Sequence, residues 1–174
     1  EAIRARSPSM VMIAARGSSD NAARYGKYLF GAANQLPVAL ATPSLFTRYA
    51  TPPKLRDTLV LGISQSGQSQ DVLAVVQEAR RQGTFSLAIT NDVHSPMAQS
   101  ADHTIHLRAG RERSIAATKT YSASLYVLAL LSVALNQDAA GFELLGTIPG
   151  LAEIVLTRTA DYIQAAEAYK EIQS

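Results

Sequence analysis

The chain has 174 residues, and 16 Lys and Arg against 14 Asp and Glu leave a formal charge of +2. With 47% hydrophobic and 17% charged residues it can build a packed core, which excludes a disordered chain, and so small a basic excess gives no stripe for nucleic acid. Cysteine is absent, which excludes a disulfide framework, a zinc–thiolate site and a cysteine nucleophile, and suits a reducing compartment.

In chain order, residues 10–14 form a short apolar run that ends at Arg16-Gly17-Ser18-Ser19. A helical stretch follows to about Leu36, and a second run, 38–41, comes after Pro37. A third run, 58–63, ends at Ser64-Gln65-Ser66-Gly67. The spacing of Val72, Leu73, Val75, Val76 and Ala79 predicts a helix over 70–82, and Gly83 stands where a helix C-terminus favours glycine. Residues 85–90 and 103–107 are the fourth and fifth runs. Residues 119–135 read as a helix apolar on nearly every face from Ala123 onward, which predicts burial on several sides. From Leu151, the positions Ile154, Val155, Tyr162, Ile163, Ala166 and Tyr169 recur at helical spacing, with Pro149 in the first turn.

Apolar runs alternating with helical patterns predict strands covered on both faces of a parallel sheet. The expected fold is α/β: a three-layer α/β/α sandwich with a five-stranded parallel sheet, flavodoxin- or Rossmann-like, over residues 1–140. Residues 141–174 are expected to be a connecting helix leading to a second domain. The chain begins at Glu1 rather than methionine and is expected to be a piece of a longer protein. No basic start followed by an apolar run marks a signal peptide, and the most apolar stretch, 122–135, is shorter than the roughly 20 residues a bilayer span needs. A cytoplasmic protein with no membrane and no nucleic-acid partner is the expectation.

Ligands of such sheets sit at the carboxyl ends of the strands. Three polar, glycine-containing loops fall there, after Ala14, Ile63 and Leu107. The second, Ser64-Gln65-Ser66-Gly67-Gln68-Ser69, joins hydroxyls, a glycine and a helix start, which suits a single phosphate. It lacks the lysine that embraces a triphosphate. The alternative is a polar turn in which Ser69 caps the helix. The first loop lacks the three-glycine dinucleotide fingerprint, which disfavours a nucleotide-binding Rossmann domain. It is either a ligand-lining segment or a capped turn. In the third loop, Thr118 or Ser114 is placed to cap the long helix, and Lys119 in its first turn opposes the dipole, so that a partner for Lys119 is expected. Glu112 and Asp20, the carboxylates nearest the expected mouth, are each a base or a solvated loop charge. His94, His103 and His106 have no zinc-site spacing, and the last two bracket a strand. No metal is expected, and no hydrolase triad can be assembled around Ser64 or Ser66.

From about Met10 to about Gln137 the three loops together resemble a sugar isomerase (SIS) domain. In detail they are similar to the first of two such domains in the isomerase half of the glutamine–fructose-6-phosphate aminotransferases and their relatives. Gly17, Ser18 and Ser19 match a family Gly-Thr-Ser motif, and Ile115-Ala116-Ala117-Thr118-Lys119 matches Val-Ala-Ser-Thr-Lys. The resemblance implies that Gly17, Ser18, Ser19, Ser64, Gln65, Ser66, Gly67 and Ser69 hold a phosphorylated sugar, with Ile115, Ala116, Thr118 and Lys119 beside it. It implies proton transfer between sugar carbons 1 and 2, with nitrogen added or removed, and no metal or organic cofactor. Arg16, Gln68 and Ala117 depart from the usual cysteine, glutamate and serine and resemble the wider group of deaminases and deglycases. The family's catalytic glutamate, histidine and lysine lie on the second domain and tail, and nothing here matches them. The expected partners are a second SIS domain and further copies of the chain. The alternative function is a non-catalytic phosphosugar-sensing module.

Overall fold

The structure, a computed structural model, describes residues 1–113, 117–167, 169 and 170. It divides into two compact units, Glu1–Gln137 and Asp138–Ser174. In the first unit, β1 (Met10–Ala15), β2 (Val38–Leu40), β3 (Thr58–Ile63), β4 (Ser86–Thr90) and β5 (His103–His106) form one sheet in the order β2-β1-β3-β4-β5. Every pairing is parallel. Its helices are α1 (Ala2–Arg6), α2 (Ser18–Asn34), α3 (Ser44–Thr47), α4 (Gln70–Arg81), α5 (Pro96–Ser100) and α6 (Lys119–Asn136).

Alternation along the central strands explains the layering. Val11, Ile13, Leu59, Leu61, Leu87 and Ile89 pack on one face with Ala22, Phe30, Leu128 and Leu131 of α2 and α6. Met12, Ala14, Val60 and Ala88 pack on the other with Val72, Val76 and Ala79 of α4 and Met97 of α5. Strands buried on both faces must be apolar throughout, and β3 is buried along its whole length.

Three sequence expectations change. Helix α6 is buried along one line, Thr120, Ser124, Leu128, Leu131 and Ser132, where it meets α2; Tyr126, Leu130 and Val133 stay half-exposed. The single connecting helix becomes three: α7 (Ala139–Gly146), α8 (Ile148–Thr157) and α9 (Thr159–Glu167). Thr147 keeps helical dihedrals between α7 and α8, so Ala139–Thr157 is a stretch of 19 residues at mean hydropathy 1.4. By length and composition it is apolar enough to cross a membrane, which the run at 122–135 was not, and none of it is buried. Helix α9 starts only after Arg158 leaves the helical region.

Candidate functional site

Strand register brings the loops together. Ala15 of β1 is opposite Ile63 of β3, Ile63 is opposite Ile89 of β4, and Thr90 is opposite His106 of β5. The segments leaving β1, β3, β4 and β5 therefore stand side by side at one edge of the sheet. After β1 the chain turns into α2 on one face; after β3 it turns into α4 on the other. The two loops part at the point where the strand order reverses, which is where such sheets bind ligands.

The loop after β3 is shaped by its carbonyls. Gln65 O accepts from Asn91 N–H at 3.0 Å and from Thr90 Oγ1 at 3.2 Å, and Gly67 O accepts from Met97 N–H at 3.2 Å. Peptides here are trans, so the Ser66 N–H points opposite to the Gln65 carbonyl, away from residues 90–91. Gly67 N–H donates to Ser64 Oγ and Gln68 N–H to Ser66 Oγ, at 3.2 and 3.3 Å. The Ser64 and Ser66 hydroxyls thus accept, and among the described residues they donate to nothing. Ser69 occupies the N-cap of α4 yet its side chain makes no capping bond. The simple capped turn does not form, and among the described residues the first amides of α4 have no side-chain acceptor.

The first loop is joined to the second by an ion pair, Arg16 Nε to Asp71 Oδ2 at 3.2 Å. Gly17 turns the chain at φ +60 into α2, and the half-buried Ser18 and Ser19 hydroxyls have no partner among the described residues. The third loop is closed by Glu112. Its Oε2 accepts from the N–H groups of Thr118 and Thr120 and from Thr120 Oγ1, each at 3.1 Å. Thr118 stands at the N-cap of α6, but its side chain makes no capping bond, so Glu112 takes that role in place of Thr118. Lys119 finds the partner its position demands, the Arg111 carbonyl at 2.6 Å. Ser114, Ile115 and Ala116 lie outside the described residues.

One residue of this edge escaped the sequence reading. The Asn91 side chain donates from Nδ2 to Gly110 O at 2.7 Å and accepts from Ala109 N–H at Oδ1, 3.1 Å. Its partners are distant in sequence, and no local pattern announces them.

The carboxylates in and beside these loops all have donors: Asp20 is paired with Arg24, Asp71 with Arg16, Glu112 with the start of α6, and Asp92 accepts from the His94 amide. His103 and His106 bracket β5 as expected, both exposed. Among the described residues no three His, Cys, Asp or Glu gather to hold a metal ion. Away from the loops, hydrogen bonds from Arg81 hold the Glu78 carboxyl below the usual carboxylate range. A cleft of about 530 Å³ opens at the opposite pole, lined by Arg6, Arg56, Asp57 and Phe85. It lies at the amino ends of β3 and β4, away from the polar loops. The arrangement at the carboxyl edge can donate hydrogen bonds to a small anion and its attached polyol.

Known proteins agree with this layout. Residues 6–134 match the family model described as SIS domain. Glutamine–fructose-6-phosphate aminotransferase [isomerizing] of Aquifex aeolicus is 35% identical over 160 residues, 91% of this chain and 27% of that one. A Silicibacter pomeroyi protein assigned by inference as a phosphosugar isomerase is 39% identical with TM-score 0.82, covering 86% of this chain and 46% of its own. The C-terminal domain of glucosamine-fructose-6-phosphate aminotransferase from Francisella tularensis shares the fold at TM-score 0.84 and 24% identity, over 98% of this chain and 50% of that one. The chain thus spans about a quarter of the first of these and about half of the other two. With 129 of its 174 residues inside the family match and the polar loops at the carboxyl edge of a β2-β1-β3-β4-β5 sheet, the chain belongs to the SIS domain family.

Proposed function

We propose that this chain binds a phosphorylated sugar of the fructose 6-phosphate or glucosamine 6-phosphate class, as one half of a cytoplasmic isomerase, deaminase or aminotransferase of amino-sugar phosphates. The observation that carries the reading is the loop after β3: two serine hydroxyls that donate to nothing among the described residues, beside a helix start whose N-cap side chain makes no capping bond, and with no lysine in the loop. Such a loop suits one phosphate monoester. Ser64, Gln65, Ser66, Gly67 and Ser69 would hold the phosphate and Gly17, Ser18 and Ser19 the sugar hydroxyls, with Ile115, Ala116, Thr118 and Lys119 beside the sugar. The parent would supply a second SIS domain, and copies of the chain would assemble. That every nearby carboxylate is engaged supports a base lying on the other half, and it favours the sensing module as second reading.

The test is calorimetry with glucosamine 6-phosphate and glucosamine. The phosphorylated sugar is expected to bind more tightly, and Ser66→Ala to weaken it by about 1–2 kcal/mol. Equal affinity for the two sugars sinks the reading. Robust release of ammonia from glucosamine 6-phosphate by this chain alone would place the base here instead.

A further inference from the structure

Asn91 sits immediately after β4, half-buried, between two loops that do not neighbour one another. Strand β4 separates β3, which feeds the loop at Ser64–Ser69, from β5, which feeds the third loop. Asn91 reaches both. Its backbone N–H donates to Gln65 O at 3.0 Å on one side. On the other, its side chain donates to Gly110 O at 2.7 Å and accepts from Ala109 N–H at 3.1 Å. A carbonyl requires the NH2 end and an N–H requires the oxygen, so the two partners fix the amide's orientation. An apolar side chain of the same size can serve neither. The third loop also turns through left-handed dihedrals at Arg108 (φ +53) and Gly110 (φ +65), just where Asn91 grips it. Its far end is gripped by Glu112 at the start of α6.

We infer that Asn91 is a positioning residue that sets the spacing between the phosphate loop and the third loop, so that a sugar phosphate spanning both binds in register with each. The inference rests on the phosphosugar reading above. Asn91 touches no ligand in this scheme; it acts through Gln65 and Gly110. Inorganic phosphate, which needs only the first of the two loops, is then indifferent to it, whereas a hexose phosphate is not.

Calorimetry of the wild-type chain, Asn91→Ala and Asn91→Leu with inorganic phosphate, glucosamine and glucosamine 6-phosphate tests this. Each variant is expected to lose roughly tenfold in affinity for glucosamine 6-phosphate and less than about twofold for phosphate. A residue that only stabilises the fold lowers the melting temperature and leaves the ratio of the two affinities unchanged; an unchanged ratio overturns the inference. A wild-type chain that does not prefer glucosamine 6-phosphate over glucosamine overturns the phosphosugar reading itself, before any variant is made. If neither variant folds, amide resonances of the wild-type chain decide under titration with glucosamine 6-phosphate and with inorganic phosphate. Ala109 and Gly110 shifting together with Gly67 under the sugar phosphate, and standing still under phosphate alone, supports the inference; their standing still under the sugar phosphate overturns it.

Discussion

Gly67 is constrained twice. Its φ of +62 lies where L side chains are strained, and a Cβ built there would collide with Ser95 Oγ. Gly17 has almost the same φ, +60, but nothing within 4 Å of the added carbon. The pair separates dihedral strain from steric exclusion. Gly17→Ala is expected to cost about 1 kcal/mol, the strain alone. Gly67→Ala adds overpacking and is expected to cost about 3 kcal/mol. Urea midpoints at constant slope measure both, and equal losses would remove the close approach to Ser95 from the account. The same loop shows what single residues reveal in sequence. The place of Ser64, Ser66 and Gly67 in a strand-to-helix loop was legible because they stand between an unbroken apolar strand and an amphipathic helix. Asn91 was not, because its side-chain partners are 18 and 19 residues away, and asparagine after a strand reads as an ordinary turn residue. Ser69 fits two readings in sequence, a ligand contact or a helix cap; it holds the cap position but makes no capping bond.

At the scale of elements, strands β1, β3 and β4 and helices α2, α4 and α6 were legible, since burial on two faces or one stripe forces an unmistakable pattern. Helices α1 and α3, of 5 and 4 residues, are too short to show a period. Helix α5 is as short and shows no period either; in the structure Ser95 Oγ caps it, accepting from Ala98 N–H, with Pro96 in its first turn. The start of α6 at Lys119 was legible, but its cap was not, because the cap lies outside the helix, at Glu112, six and eight residues before the amides it accepts from. A carboxylate at a helix start satisfies unpaired amides and the dipole together. Glu112→Ala is expected to destabilise the chain by about 1–2 kcal/mol, and Glu112→Gln, which keeps a neutral acceptor, by less. Thermal unfolding measures this. Were Glu112 a solvated charge, neither substitution would move the melting temperature; were it a base, Glu112→Gln would abolish turnover and spare stability.

The whole molecule poses a burial problem in its second unit. Leu144 and Leu156 are 69% and 70% exposed, and Ile148, Leu151, Ile154, Val155, Tyr162 and Ile163 are exposed around them. None of the stretch Ala139–Thr157 is buried, although short helices of this kind are marginal in water without a packed face. At about 25 cal/mol per Å², this many exposed large apolar side chains are a strong drive to association. Three covers are available: further chain in a longer parent, in keeping with relatives that run well beyond this chain, a lipid bilayer, or a second copy. Only the last is present when this chain is alone in solution. The isolated chain is therefore expected to self-associate, with an average mass in sedimentation that rises with concentration. Replacing Leu151, Ile154 and Leu156 together with asparagine should lower that tendency, while the proposed binding of glucosamine 6-phosphate, assigned to loops of the first unit, stays as it was. A wild-type chain that remains strictly monomeric across the concentration range, or a triple variant that associates as strongly, would show that this surface does not drive assembly.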